Sequence, residues 1–242
     1  MTWPKTHDRE QVPTLLEHRR SAAWAVLLTI LLVGVDLLLM DQRAWTVLAA
    51  VLAAVILCLL AREAGLDSDD LGLRRDRLGR GLRLGAGLSG LAVLALAVAV
   101  FVPSLASAFN DDRTPDDLAS LLVKIFVVIP LRTVLLEELA FRGVLWGWLA
   151  KSRGERIATW GSSLAFGLWH VPPALVVVRT NDALASSSPG GAWLVIGGIL
   201  VGTTVVGLLL AELRRRTQSL AAPAMLHWTV NAGGTVGSYL TS

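Results

Sequence analysis

Long apolar runs follow one another through almost the whole chain, and they constrain the fold more than any other feature. A helix needs about 20 apolar residues to cross a bilayer. Seven stretches approach or exceed that length: residues 21–40, 44–61, 84–105, 118–150, 157–178, 192–213 and 220–240. Only 17% of the 242 residues are charged, whereas about 25% is usual in a soluble domain. We therefore predict an all-α, polytopic transmembrane helix bundle and exclude an ordinary soluble enzyme.

The positions of the Lys and Arg residues predict how this bundle is oriented. Sixteen of the 22 lie in the tail 1–20, in the loop 62–83, and in the connections after the fourth and sixth segments. Only three lie in the other connections, and such residues in short loops stay on the cytoplasmic side. If 118–150 crosses once, about seven spans and a cytoplasmic N-terminus follow. Splitting that segment at Pro130 gives eight spans as the alternative.

Composition limits the partners and the location of the protein. A net charge of +3 is too small to indicate nucleic acid, and a single cysteine, Cys58, excludes disulfides and a cysteine zinc site. Arg outnumbers Lys 19 to 3, which is typical of a GC-rich bacterium. We expect a multi-pass protein of a bacterial plasma membrane. Residues 21–105 would form three N-terminal helices with a basic cytoplasmic loop at 62–83. Its run 67–83 is expected to be a solvated or amphipathic linker without a site.

Polar side chains lie inside the predicted spans, where a charged residue costs roughly 3 kcal/mol or more. Counted from the predicted cytoplasmic ends, Glu137 and His170 each lie 13 residues inside their segments, or about 20 Å. His227 and Asn231 lie 7 and 11 residues inside the last segment, at about 10 and 16 Å. Three helices therefore carry polar groups to a similar depth. This agreement predicts one shared cavity rather than scattered structural contacts.

Spacing within the fourth segment separates its two glutamates. Glu138 and Arg142 stand at i, i+4 on one helix face, where they can form an ion pair. Glu137 points about 100° away from that face. It is the freer carboxylate of the two and the candidate general base.

Two further pairs share helix faces in the later segments. Phe166 and His170 are four residues apart, and Pro172-Pro173 is expected to bend or end that helix just beyond them. His227 and Asn231 have the same spacing on the last segment. An imidazole and a carboxamide side by side are suitable donors to a developing oxyanion.

Three motifs occur in a fixed order: Glu137-Glu138-x-x-x-Arg142, Phe166-x-x-x-His170 and His227-x-x-x-Asn231. Their order and spacing resemble the CPBP family of intramembrane proteases, the CAAX-prenyl-protease and bacteriocin-processing group formerly called Abi. The similarity covers about residues 118–239, half of the chain. On this resemblance, residues 118–240 would form the catalytic core.

The resemblance implies an intramembrane endopeptidase with four catalytic residues: Glu137, His170, His227 and Asn231. The first two would activate a water, and the last two would stabilise the oxyanion. Three residues would support them: Glu138, Arg142 and Phe166. The implied substrate is a membrane-embedded or lipid-anchored protein or peptide, either of CaaX type or a peptide precursor.

Two alternatives stay open at this stage. We expect no cofactor, because the chain contains no HExxH pair. Zinc held by Glu137, His170 and His227, with an open fourth position, is the alternative. The same polar cluster would also suit a non-catalytic protein, either an immunity or partner-binding protein or a small ion or proton transporter. The oligomeric state is not predicted.

Overall fold

A computed structural model describes residues 45–102, 114–180 and 189–241, and these residues form helices and no β-strand. The helices are α1 (Trp45–Glu63), α2 (Arg75–Phe101), α3 (Leu118–Arg153), α4 (Glu155–Trp169), α5 (Val171–Thr180), α6 (Pro189–Thr217) and α7 (Ala221–Thr241). The all-α prediction is confirmed for this part of the chain. The predicted tail 1–20 and first segment 21–40 lie outside the described residues.

Four of these helices are long and apolar enough to cross a membrane: α1, α2, α3 and residues Gly190–Thr217 of α6. The chain is therefore a membrane protein. Helix α4 has 15 residues, a length of about 22 Å, and it is shorter than the hydrocarbon core of about 30 Å. Seven crossings and a cytoplasmic N-terminus stay predictions.

One helix boundary differs from the sequence prediction, and the expected break near Pro172-Pro173 is confirmed. Helix α2 begins at Arg75, so part of the expected loop 62–83 is helical, because arginines at a helix end can reach water while their stems cover apolar surface. The fifth segment is two helices, since α4 ends at Trp169 and α5 begins at Val171. Pro172 and Pro173 lack the N–H groups that would continue α4, and prolines are tolerated in the first turn of α5. His170 therefore lies at the junction.

Helix α3 passes through Pro130 without ending. Residues Lys124–Val134 have the wider π-helical turns, in which each N–H bonds to the carbonyl five residues earlier. Pro130 has no N–H for the carbonyl of Ile125. The indole Nε1 of Trp228 on α7 donates to that carbonyl at 2.9 Å instead. A side chain of α7 thus replaces the missing backbone donor of α3.

Small residues bring the helices close together. Gly81 and Gly85 of α2 are buried against the start of α7, and a Cβ at Gly85 would lie 3.1 Å from the Cα of Ala222. A Cβ at Gly207 of α6 would lie 3.1 Å from the Cα of Ser163 on α4. Such close backbone approach is typical of membrane helix packing. These approaches pack α7 against α2 and α4 against α6.

The loop between α1 and α2 is partly packed, which was not expected, although Asp67 and Arg74 are exposed. Leu66 and Leu71 are buried. The fully buried Arg214, near the end of α6, donates from Nη2 to the backbone carbonyls of Asp69 and Asp70 at 3.1 and 2.9 Å. Sequence reasoning treated the charges of this loop as solvated. Its peptide carbonyls instead satisfy a buried cation.

Candidate active site

Three buried charged side chains form a continuous chain of contacts between α3 and α7. Arg142 Nη1 donates to Glu138 Oε1 at 3.1 Å, and His227 Nδ1 lies 2.8 Å from the same oxygen. Their side chains are 0%, 2% and 8% exposed. The i, i+4 pairing of Glu138 and Arg142 is confirmed. The link to His227 was not expected, because sequence spacing says nothing about contacts between helices.

The contact with Glu138 orients the imidazole of His227. A carboxylate oxygen can only accept, so Nδ1 carries the proton in this contact. With Nδ1–H donated to Glu138, Nε2 is the nitrogen that faces Glu137, whose Oε2 lies 3.8 Å away. Glu138 therefore sets the orientation of the imidazole, and Arg142 holds Glu138 in place.

Glu137 is buried and held by one of its two oxygens. Oε1 accepts a hydrogen bond from the indole Nε1 of Trp169 at 3.4 Å. Oε2 has no hydrogen-bond partner among the described residues. Trp169 was missed by the sequence analysis, which treated Glu137 as unpartnered. No spacing rule would have found it, because the contact joins the last residue of α4 to the middle of α3.

The ring of Phe166 contacts three other groups of the site. Arg142 Cζ lies 4.0 Å from the ring centroid, and the ring centroids of His170 and His227 lie 4.6 and 5.9 Å away. A guanidinium over an aromatic face is stabilised by the ring quadrupole. The ring of Phe166 therefore packs against the other site residues and joins α4 to α3 and α7.

His170 gains a defined tautomer from the break between α4 and α5. Its backbone N–H bonds to the carbonyl of Gly167, which leaves the carbonyl of Phe166 available. The ring Nδ1 of His170 is 2.7 Å from that carbonyl oxygen, and a carbonyl can only accept. Nδ1 must carry the proton, so Nε2 of the neutral ring is an acceptor.

Asn231 lies one turn after His227 on α7 and is half-buried. Its side chain makes no hydrogen bond with the rest of the described chain. In the described ranges, no three His, Cys, Asp or Glu side chains are grouped so as to hold a metal ion. Glu137, His170 and His227 do not form such a set.

The fold and the buried cluster define the class of protein, a helical membrane protein with carboxylate, imidazole and guanidinium groups between its helices. Residues 119–233 match the family model described as Type II CAAX prenyl endopeptidase Rce1-like. This match spans 115 of the 242 residues and supports assignment of the chain to the CPBP/CAAX protease family, an intramembrane protease class. No curated protein and no solved structure matches the chain.

Proposed function

We propose that this protein hydrolyses a peptide bond of a membrane-associated substrate with a water activated by Glu137. One observation carries the proposal. Trp169 holds Oε1 of the buried Glu137 carboxylate, while Oε2 is unpartnered within the described residues and faces Nε2 of His227 at 3.8 Å. A carboxylate held in this way is suited to take a proton from a water.

The first step of the proposed reaction is attack by that water on the scissile carbonyl. Oε2 of Glu137 takes one proton from the water while the water oxygen bonds to the carbonyl carbon. Nε2 of His170, an acceptor because Nδ1 donates to Phe166, accepts a hydrogen bond from the other water proton. Two acceptors fix the direction of the water lone pair, which reduces the entropy cost of the attack.

The second step is collapse of the tetrahedral intermediate. His227 donates from Nε2 to the oxyanion, and the carboxamide of Asn231, four residues along α7, supplies a second donor. Glu137 returns its proton to the leaving nitrogen, and the C–N bond breaks to give a carboxylate and an amine. Glu138 supports the imidazolium through the 2.8 Å contact with Nδ1, as a buried carboxylate does in a catalytic triad.

The substrate class rests on the family. We propose a CaaX-type lipid-anchored peptide or a membrane peptide precursor, cleaved near the end of the bundle that carries the basic loops. We also propose that this end is cytoplasmic and that the membrane is a bacterial plasma membrane. Water and side chains suffice for the steps above, so we propose that no metal takes part.

The decisive experiment compares wild type with Glu137→Gln. Both are purified in nanodiscs and given two quenched fluorescent peptides of one CaaX-type sequence, one farnesylated and one unmodified. Glu137→Gln keeps the shape of the side chain but removes the base, so turnover should fall about 10²–10⁴-fold. Thermal unfolding should stay close to wild type. Peptide cleavage measured by fluorescence, with products identified by mass spectrometry, gives the result.

The matched control is Glu63→Gln, which changes an exposed glutamate at the end of α1. It should retain full activity. If Glu137→Gln turned over substrate at the wild-type rate, Glu137 would not be the general base. Each assay is repeated after chelation, and activity lost to a chelator and restored by zinc would overturn the metal-free mechanism. If neither peptide is cleaved, membrane peptides that accumulate in a Glu137→Ala strain identify the substrate by proteomics.

A further inference from the structure

A groove lies between α1 and α2, away from Glu137 and Trp169. Helix α1 packs against α3, whereas α2 packs against α7, and the two diverge enough to leave a cavity of about 600 Å³. Its lining is mainly aliphatic and includes Val55, Leu59, Leu78, Leu135, Leu139 and Leu220. Four of these side chains, all except Leu139 and Leu220, are exposed along helices that are long enough to cross a membrane. An occupant must therefore be apolar along this wall.

Positive charge is concentrated at one end of the groove. Arg62 in the last turn of α1 and Arg74 and Arg75 at the start of α2 line its mouth. Arg74 is already paired with Asp76 and lies 3.7 Å from Asp69. Arg62 and Arg75 are exposed and make no ion pair with the described residues. Two available guanidinium groups therefore remain at the mouth.

The apolar wall and the two available arginines together determine which kind of molecule fits the groove. A free phosphate would match the arginines but would leave the apolar wall uncovered. A neutral lipid would cover the wall but would leave two cations unmatched. Basic pockets between membrane helices bind the headgroups of anionic lipids. A molecule with an acyl chain and an anionic headgroup satisfies both parts of the groove.

We propose that this groove is a binding site for an anionic phospholipid. An acyl chain lies between α1 and α2 against Leu59 and Leu135, and the phosphate of the headgroup lies between Arg62 and Arg75. Of the residues in the candidate active site, Glu138 lines the groove, whereas Glu137, His170, His227 and Asn231 do not. Lipid retention is measured without cleavage, so the test is independent of the protease activity.

The chain supplies its own probe for the test. Cys58, the single cysteine, lines the groove. Full-length protein is placed in phosphatidylcholine nanodiscs containing increasing fractions of phosphatidylglycerol, and the rate of modification of Cys58 by N-ethylmaleimide is measured. Native mass spectrometry of the released protein counts the phosphatidylglycerol molecules that stay bound.

The test variant is Arg62→Gln with Arg75→Gln, and the control is Arg80→Gln with Arg83→Gln. The control arginines are exposed residues of α2 that do not line the groove. We expect phosphatidylglycerol to slow Cys58 modification severalfold and to be retained in wild type and in the control. Both effects should be lost in the test variant.

Three results would overturn the proposal. Equal effects in the two double variants would show attraction to surface charge in general and not a site. Protection of Cys58 at every lipid composition would show that residues of the chain itself cover the groove. Modification at an unchanged rate, with no phosphatidylglycerol retained, would show that no anionic lipid binds there.

Discussion

Among the described residues, two arginines are completely buried, and they differ in what they bind. Arg142 lies over the ring of Phe166 and pairs with the carboxylate of Glu138. Arg214 lies 4.7 Å from the ring of Trp146 and donates to backbone carbonyls of the loop between α1 and α2. In each case an aromatic face covers a guanidinium that lacks some hydrogen-bond partners among the described residues.

The difference lies in the partners. A peptide carbonyl cannot exchange a proton, so the contacts of Arg214 only fasten the loop to α6. Glu138 is ionisable and also contacts His227, so the charge of Arg142 influences an imidazole beside Glu137. A buried cation is therefore not by itself a sign of function. An ionisable partner that leads to a second titratable group is the more informative feature.

The largest effect is expected for Arg142→Gln. Removing one partner of a buried ion pair leaves Glu138 uncompensated, which costs about 3–5 kcal/mol in free energy of unfolding. Cleavage per folded molecule should also be lost, because Glu138 no longer orients His227. Denaturant unfolding and peptide turnover measure the two effects. A variant that folds stably and cleaves normally would show that Arg142 is not needed for either role.

A smaller effect, on stability alone, is expected for Arg214→Gln. Both carbonyls accept from the same atom, Nη2, so we expect a total loss of about 1.5–3 kcal/mol, the value of one hydrogen bond to a charged group. Turnover per folded molecule should be unchanged, because none of the contacts reaches Glu137. Arg216→Gln on the same helix is the control, since Arg216 is exposed and pairs with Glu212 at the surface. If Arg214→Gln and Arg142→Gln lost turnover equally, the conclusion that only Arg142 influences the active site would be wrong.

The smallest effect is expected for Trp169→Phe. The ring contact with Phe141 can be retained, while Glu137 Oε1 loses its donor. We expect kcat to fall about tenfold, equivalent to about 1.4 kcal/mol, with KM and the unfolding temperature unchanged. Trp160→Phe is the control, an exposed indole on the same helix. A rise in KM without a change in kcat would assign Trp169 to substrate binding and not to positioning of the base.

Local spacing predicted the contacts that lie within one helix. The four-residue interval between Glu138 and Arg142 indicated their ion pair, and the interval between Phe166 and His170 indicated that their rings meet. Similar depths on separate segments also indicated that Glu137 and His227 belong together, and they lie within 3.8 Å. These features follow from helix geometry and need no knowledge of the packing.

Spacing indicated a shared depth for groups on different helices, but it did not indicate which of them form hydrogen bonds. The donation from Trp169 to Glu137 depends on how α4 is rotated against α3, and no residue pattern states that angle. The link between His227 and Glu138 depends in the same way on α7. The packed loop was missed because Asp69 and Asp70 resemble solvated residues, although it is their carbonyls that bind Arg214.

The substitution of an indole N–H for the backbone N–H absent at Pro130 has a consequence for the angular setting of α7. Adjacent residues on a helix point about 100° apart, so fixing the direction of Trp228 also fixes that of His227. The hydrogen bond from Trp228 to the carbonyl of Ile125 therefore fixes the rotation of α7 about its own axis and keeps the imidazole aimed at Glu138.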